Sequence, residues 1–152
     1  MREITHGSLF TGIGGIDLGF EWAGIETKWQ VEIDDYCQKL LSIRFPHTKK
    51  FTDVRKVGSH NLEKVDIISG GFPCPAFSQA GKRGGFEQDD LFYEMIRVCD
   101  ERKPKAIVFE NVEGFKKWTK TLRQEIENIG YEWGDAIFDA RDLGIPQARR
   151  RY

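Results

Sequence analysis

The chain has 152 residues, 39% of them hydrophobic and 31% charged, enough for one domain with a real core and without an apolar run approaching the ~20 residues of a membrane span. A formal net charge of −1 excludes bulk basicity as a means of holding nucleic acid, although Lys82 with Arg83, and Arg149 to Arg151, gather cations locally. Cys37, Cys74 and Cys99 lie far apart, without a CxxC pair or a histidine at ligand spacing, and the N-terminus has no apolar signal segment; this argues against zinc and disulfides and for a reducing cytoplasm.

Residues 4–10 predict a strand, closed by the glycines at 12, 14 and 15. Residues 16–22 predict a short helix, with Gly24 as its stop, and residues 29–33 a second strand. Asp34 and Asp35 favour the start of a helix, since carboxylates suit its positive end; Tyr36, Leu40 and Ile43 supply its apolar stripe and Pro46 ends it. Residues 65–69 predict a third strand. Asp89 or Asp90 caps a helix whose Leu91, Met95, Val98 and Cys99 share one face, and Pro104 closes it. Residues 106–109 predict the next strand. Trp118, Leu122, Ile126 and Ile129 recur at helical spacing up to Gly130, and residues 131–138 predict a further strand. Alternating strands and helices of this kind predict an α/β domain over 1–152, its mostly parallel sheet covered by helices on both faces.

Three stretches carry candidate chemistry. In SLFTGIGGIDLGF, Gly12, Gly14 and Gly15 follow the first strand, where glycine permits positive φ and a close ligand approach. Glu32 ends the second strand, a place where an acid accepts hydrogen bonds from ribose hydroxyls. These features suggest a nucleoside cofactor, but a tight turn beside a solvent-facing glutamate explains them equally well. GxGG is also a poor fit to the dinucleotide fingerprint. Asp53, read alone, is a turn or capping residue.

The second stretch is GGFPCPAFSQAGKRGG, residues 70–85. Cys37 and Cys99 sit in helical apolar patterns and read as small buried hydrophobes. Cys74 lies just past a strand end, where ligands bind in open α/β sheets, and its flanking prolines limit its freedom. The third stretch begins with Glu110 and Asn111, which follow strand 106–109 directly and share that sheet edge. An acid and a thiol at neighbouring strand ends make a candidate catalytic pair. In GIPQARRRY, an extended backbone would point Gln147, Arg149 and Arg151 to one side.

With these motifs in order, the chain resembles the N-terminal part of a DNA cytosine-5 methyltransferase: FTGIGG, GGFPCPAFSQAG, ENV and QARRR match the family's successive motifs, and the likeness covers nearly the whole chain. It implies a Rossmann-like S-adenosylmethionine-dependent fold, a part in restriction-modification, and a cytoplasmic protein that is nucleoid-associated if bacterial. A dinucleotide-dependent oxidoreductase would leave Cys74, Glu110 and QARRR as coincidences.

The resemblance implies that S-adenosylmethionine binds with Phe10 on the adenine, the turn of Gly12, Ile13, Gly14 and Gly15 at the methionine portion, and Glu32 on the ribose. Ile33 covers the adenine, Asp53 accepts from its amino group with Val54 alongside, and Gly71, Pro73 and Leu91 line the pocket. It further implies that Cys74 is the nucleophile, that Glu110 holds ring nitrogen 3 of cytosine, and that Arg149 contacts the base carbonyl oxygen. Ser78, Lys82, Arg83 and Arg151 then meet double-stranded DNA, with Arg151 also holding the loop, and Asn111 and Val112 shape the loop around Glu110. No metal is implied.

Pro75 stands where the family commonly has glutamine, which stiffens the loop. The family's next strand, its target recognition domain and a late asparagine-bearing motif are not found before Tyr152, so the sheet is expected to be truncated before its last strand. Two functional readings stay open: the catalytic portion of an enzyme, as one subunit of a split methyltransferase completed by a C-terminal chain or as a piece of a longer protein, or a non-catalytic remnant that folds and binds cofactor without methylating DNA.

Overall fold

The computed structural model describes residues 3–73 and 90–152. Five strands form one parallel sheet: β1 (Thr5–Leu9), β2 (Glu26–Val31), β3 (Lys49–Phe51), β4 (Ile67–Gly70) and β5 (Ala106–Phe109), in the order β3-β2-β1-β4-β5. The chain moves outward from β1 to one edge, then returns to β4 on the other side. This reversal leaves a crevice at the C-terminal strand ends, where such sheets bind ligands.

Helix α1 (Gly15–Trp22) follows β1, α2 (Asp35–Arg44) follows β2, α3 (Asp90–Arg102) lies between β4 and β5, and α4 (Thr119–Asn128) follows β5. Gly14 starts α1 from a left-handed φ of 82°, and a Cβ there would lie 2.5 Å from the Phe45 ring. Asp34 caps α2 by accepting from the Cys37 N–H at 2.8 Å. Alternation along β1 gives the sheet two faces. His6 and Ser8 face α1, where the His6 ring stacks on Phe20 and Ser8 donates to Asp17. Leu9, Trp29, Val31 and Ile68 join Phe92, Met95, Val98 and Cys99 in the main apolar core. The expected Met95–Val98–Cys99 face of α3 is thus buried, with Leu91 partly buried beside it.

Two expectations need correction, and one strand was not foreseen. Tyr36 and Ile43 do not form the buried stripe of α2, being 72% and 78% exposed; Leu41 and Phe45, in a different helical phase, pack inward against Gly14. Residues 131–138 are not a strand. Only Phe138–Asp139 (β6) is, because its ladder partner is the short β7 (Arg150–Arg151), while Tyr131 anchors its segment by donating from its hydroxyl to the Pro104 carbonyl at 2.6 Å. Strand β3 has a lysine-rich sequence, KKF, that gives no strand signal, yet it pairs with β2 and closes that edge.

Candidate functional site at the C-terminal sheet edge

Where β1, β2, β3 and β4 end, a cavity of about 520 Å³ opens. Its walls come from the residue after each strand: Phe10 from β1, Glu32 and Ile33 from β2, Thr52 and Asp53 from β3, and Gly71 and Pro73 from β4, with Leu91 from the first turn of α3 and Val31, Val54 and Arg55 completing it. Its size is that of a small-molecule site. Phe10 holds a φ of 53°, uncommon for a bulky residue. Backbone strain of this kind gathers at ligand sites.

Glu32 does more than end a strand. Its Oε2 accepts the Gly12 N–H at 2.6 Å and its Oε1 accepts the Asp34 N–H at 2.9 Å, so one carboxylate ties the glycine turn to the entry of α2. A carboxylate has about four lone-pair sites, which leaves capacity toward the cavity. Asp53 caps the 3₁₀ turn Val54–Lys56 by accepting the Arg55 N–H at 3.0 Å, as its sequence context suggested, and lines the cavity as well.

Glu110 stands next door. Its Oε2 lies 2.9 Å from where a Cβ on Gly71 would sit, so Gly71 lines the cavity and makes room for the acid. Glu110 Oε1 is 2.7 Å from Arg151 Nε, a charge-assisted contact. That contact follows from the backbone: Asn111 and Tyr152 exchange two N–H···O bonds of 2.7 and 2.9 Å, and Val112 bridges Arg151. The Asn111 side chain donates to the Phe72 carbonyl at 3.4 Å and accepts the Val112 N–H at 2.9 Å, linking the ends of β4 and β5. A second cavity, about 630 Å³ and mostly apolar, lies on the far side of Glu110.

Of the residues expected to hold a cofactor, Phe10, Glu32, Ile33, Asp53, Val54, Gly71, Pro73 and Leu91 converge on the first cavity. Gly12, Ile13, Gly14 and Gly15 do not line it; Gly12 is joined to it through Glu32. Sequence reading missed Val31, Thr52 and Arg55, although each adjoins a residue it singled out. Cys74, Ser78, Lys82 and Arg83 lie outside the described residues. Arg149 is exposed, its carbonyl accepting from the Ala140 N–H at 2.9 Å, and the arginine paired with Glu110 is Arg151. Among the described residues no three His, Cys, Asp or Glu side chains converge as a metal site, and no helix is long and apolar enough to cross a membrane.

The C-5 cytosine-specific DNA methylase family matches residues 4–152. The Type II methyltransferase M1.ScrFI of Lactococcus lactis subsp. cremoris is 40% identical over 94% of this chain and 39% of its own length. The Type II methyltransferase M.HhaI of Haemophilus parahaemolyticus is 34% identical over 94% of this chain and 46% of its own. The chain therefore spans less than half the length of these relatives. A crystal structure described as a DNA modification methyltransferase encoded within a prophage of E. coli superposes with a TM-score of 0.83 at 29% identity, covering 99% of this chain and 45% of that one. S. pombe Dnmt2 methyltransferase superposes with a TM-score of 0.80 at 19% identity, over 98% of this chain and 49% of that one, which shows a shared fold.

Proposed function

Since this chain belongs to the C-5 cytosine-specific DNA methylase family, we propose that it is the cofactor-binding and catalytic portion of a DNA cytosine-5 methyltransferase, acting on a flipped cytosine through a Cys74 adduct. The observation that carries this reading is the meeting of Glu32, Asp53 and the apolar Phe10, Ile33 and Leu91 around one cavity, with Glu110 adjoining it at Gly71. Those walls suit S-adenosylmethionine: two carboxylates for a ribose diol and a base amino group, apolar surfaces for the ring. When bound there, this cofactor supplies an electrophilic methyl group.

Carbon 5 of cytosine is a weak nucleophile. Addition of the Cys74 thiolate to carbon 6 moves electron density onto carbon 5. Glu110 holds ring nitrogen 3 and passes it a proton taken up from solvent as charge develops there. Arg151 orients the Glu110 carboxyl, and Arg149 reaches the base carbonyl oxygen or a phosphate. After methylation, water takes the carbon-5 proton, its electrons form the carbon 5–carbon 6 double bond and the thiolate leaves carbon 6, while nitrogen 3 gives its proton back to Glu110. The base leaves the duplex to reach this edge, at a cost of a few kcal/mol. Ser78, Lys82 and Arg83 contact phosphates, which position DNA without reading its sequence.

Two measurements test the reading. Titration calorimetry with the 152-residue chain should show S-adenosylhomocysteine bound in preference to NAD; equal or tighter NAD binding overturns the cofactor assignment. With a C-terminal chain of a relative added, duplex DNA carrying 5-fluorocytosine should trap a covalent adduct. Trapping that persists in Cys74→Ser would place the nucleophile elsewhere.

A further inference from the structure

Arg97 lies on α3 and is not itself among the residues that line the cavity. Its guanidinium is nonetheless committed in four directions. Nε and Nη2 donate to Glu94 Oε2 at 2.8 and 2.6 Å, and Nη1 donates to Glu101 Oε1 at 2.7 Å. Nη2 also donates to the carbonyls of Val54 and Val57, each at 3.0 Å. Those two carbonyls bracket the single 3₁₀ turn that Asp53 caps. Of the turn's own two backbone bonds, the one from the Lys56 N–H to the Asp53 carbonyl is 3.0 Å, while the one from the Val57 N–H to the Val54 carbonyl is long at 3.4 Å. Glu101 completes the clamp, its Oε2 accepting the Ser59 N–H at 2.8 Å. A Cβ on Gly58 would lie 2.3 Å from that oxygen, so glycine lets the loop approach the helix this closely.

A three-residue turn has little stability of its own, and the Val54 and Val57 side chains alone do not fix the direction of its carbonyls. The Arg97 fork does, because its planar donors meet two carbonyls and two carboxylates at once. Leu91, on the same helix, lines the same cavity. Arg97 thus joins two walls of the site.

We propose that Arg97 is a positioning residue that sets Asp53 against the base of the bound nucleoside and so governs selection of a 6-amino purine. This deepens the cofactor reading above and rests on it.

The test compares S-adenosylhomocysteine with S-inosylhomocysteine, which has a carbonyl where adenine has its amino group, by calorimetry on the 152-residue chain. The unaltered chain should prefer the adenine form. Arg97→Met should lose about tenfold or more in affinity for it, the scale of one misplaced charge-assisted hydrogen bond, and its preference should fall toward one. Arg123→Met, on the surface of α4, should change neither. Should Arg97→Met fail to fold, as judged by circular dichroism, Arg97→Lys carries the same comparison, because a lysine cannot span both carbonyls and both carboxylates. Unchanged affinity and preference in a folded variant overturns the proposal. So does an equal loss for both ligands, which would mark a general loosening. No binding of either ligand by the unaltered chain overturns the cofactor reading, and this inference with it.

Discussion

Beneath α1 the sheet presents His6, Ser8, Thr27, Gln30 and Ser69, all buried, whereas its opposite face presents Leu9, Trp29, Val31 and Ile68, equally buried. On the polar face His6 Nδ1 lies 2.9 Å from Thr27 Oγ1 and its Nε2 2.8 Å from Ser69 Oγ, spanning β2, β1 and β4. Asp17 of α1 accepts from Ser8 at 3.1 Å and from Gln30 at 2.8 Å. An apolar face tolerates adjustment as long as volume is conserved. A buried polar face has to satisfy its partners together, because each unpaired group costs its full desolvation. The polar network therefore fixes where α1 sits on the sheet. The glycine turn that begins α1, and the Glu32 carboxylate that grips it, inherit that placement.

The contrast can be broken most strongly on the apolar side. Trp29→Ala removes a fully buried ring and its hydrogen bond to the Glu63 carbonyl. It should cost about 3–5 kcal/mol in urea unfolding. The polar side should instead reveal itself through pH. Burial lowers the His6 pKa from 6.5 to about 4. Between those values the unfolded chain binds a proton that the folded one refuses, so this contribution is complete above pH 6.5 and drains away as pH falls toward 4. The loss should approach roughly 3 kcal/mol. Stability measured across that window should slope less in His6→Gln; parallel slopes would show that another group titrates.

Smallest, and sharpest, is a pair of substitutions at Asp17. Burial raises the pKa of this carboxyl, with the Gln30 and Ser8 hydrogen bonds opposing. Asp17→Ala strands both donors and should cost about 2 kcal/mol. Asp17→Asn keeps an acceptor, sheds the buried charge, and should cost under about 1 kcal/mol. Equal costs for the two would mean that the network matters less than the space it fills.

Much of the site was legible because its residues follow strand ends. Glu110 comes directly after the apolar run 106–109 and Glu32 directly after the strand ending at Val31, and a parallel sheet brings such positions to one edge; Asp53 follows a lysine-rich strand that gave no such signal. The place of Leu91 beside the cavity was legible only through the resemblance. The burial of His6 and Ser8 was not, since nothing in THGSL distinguishes a polar strand facing water from one facing a helix that carries its own acceptor. Tyr36 and Ile43 misled because apolar spacing defines a stripe but not the direction it faces. The Arg151–Glu110 contact depends on pairing between residues distant in sequence, which composition does not encode.

The two backbone bonds between Asn111 and Tyr152 also carry a kinetic consequence. They close a long excursion through α4, β6 and β7, and closing it costs chain entropy that local elements do not incur. The five-stranded sheet does not depend on that closure, so Arg151 should dock against Glu110 late, after the strands have formed. By the same reasoning this segment should open first. Its amides at Asn111 and Tyr152 should exchange with solvent through a local excursion, well before the protected amides of β1 and β4 do. The acid would then lose and regain its cation on a timescale separate from unfolding, as a clasp that can be released while the sheet remains whole.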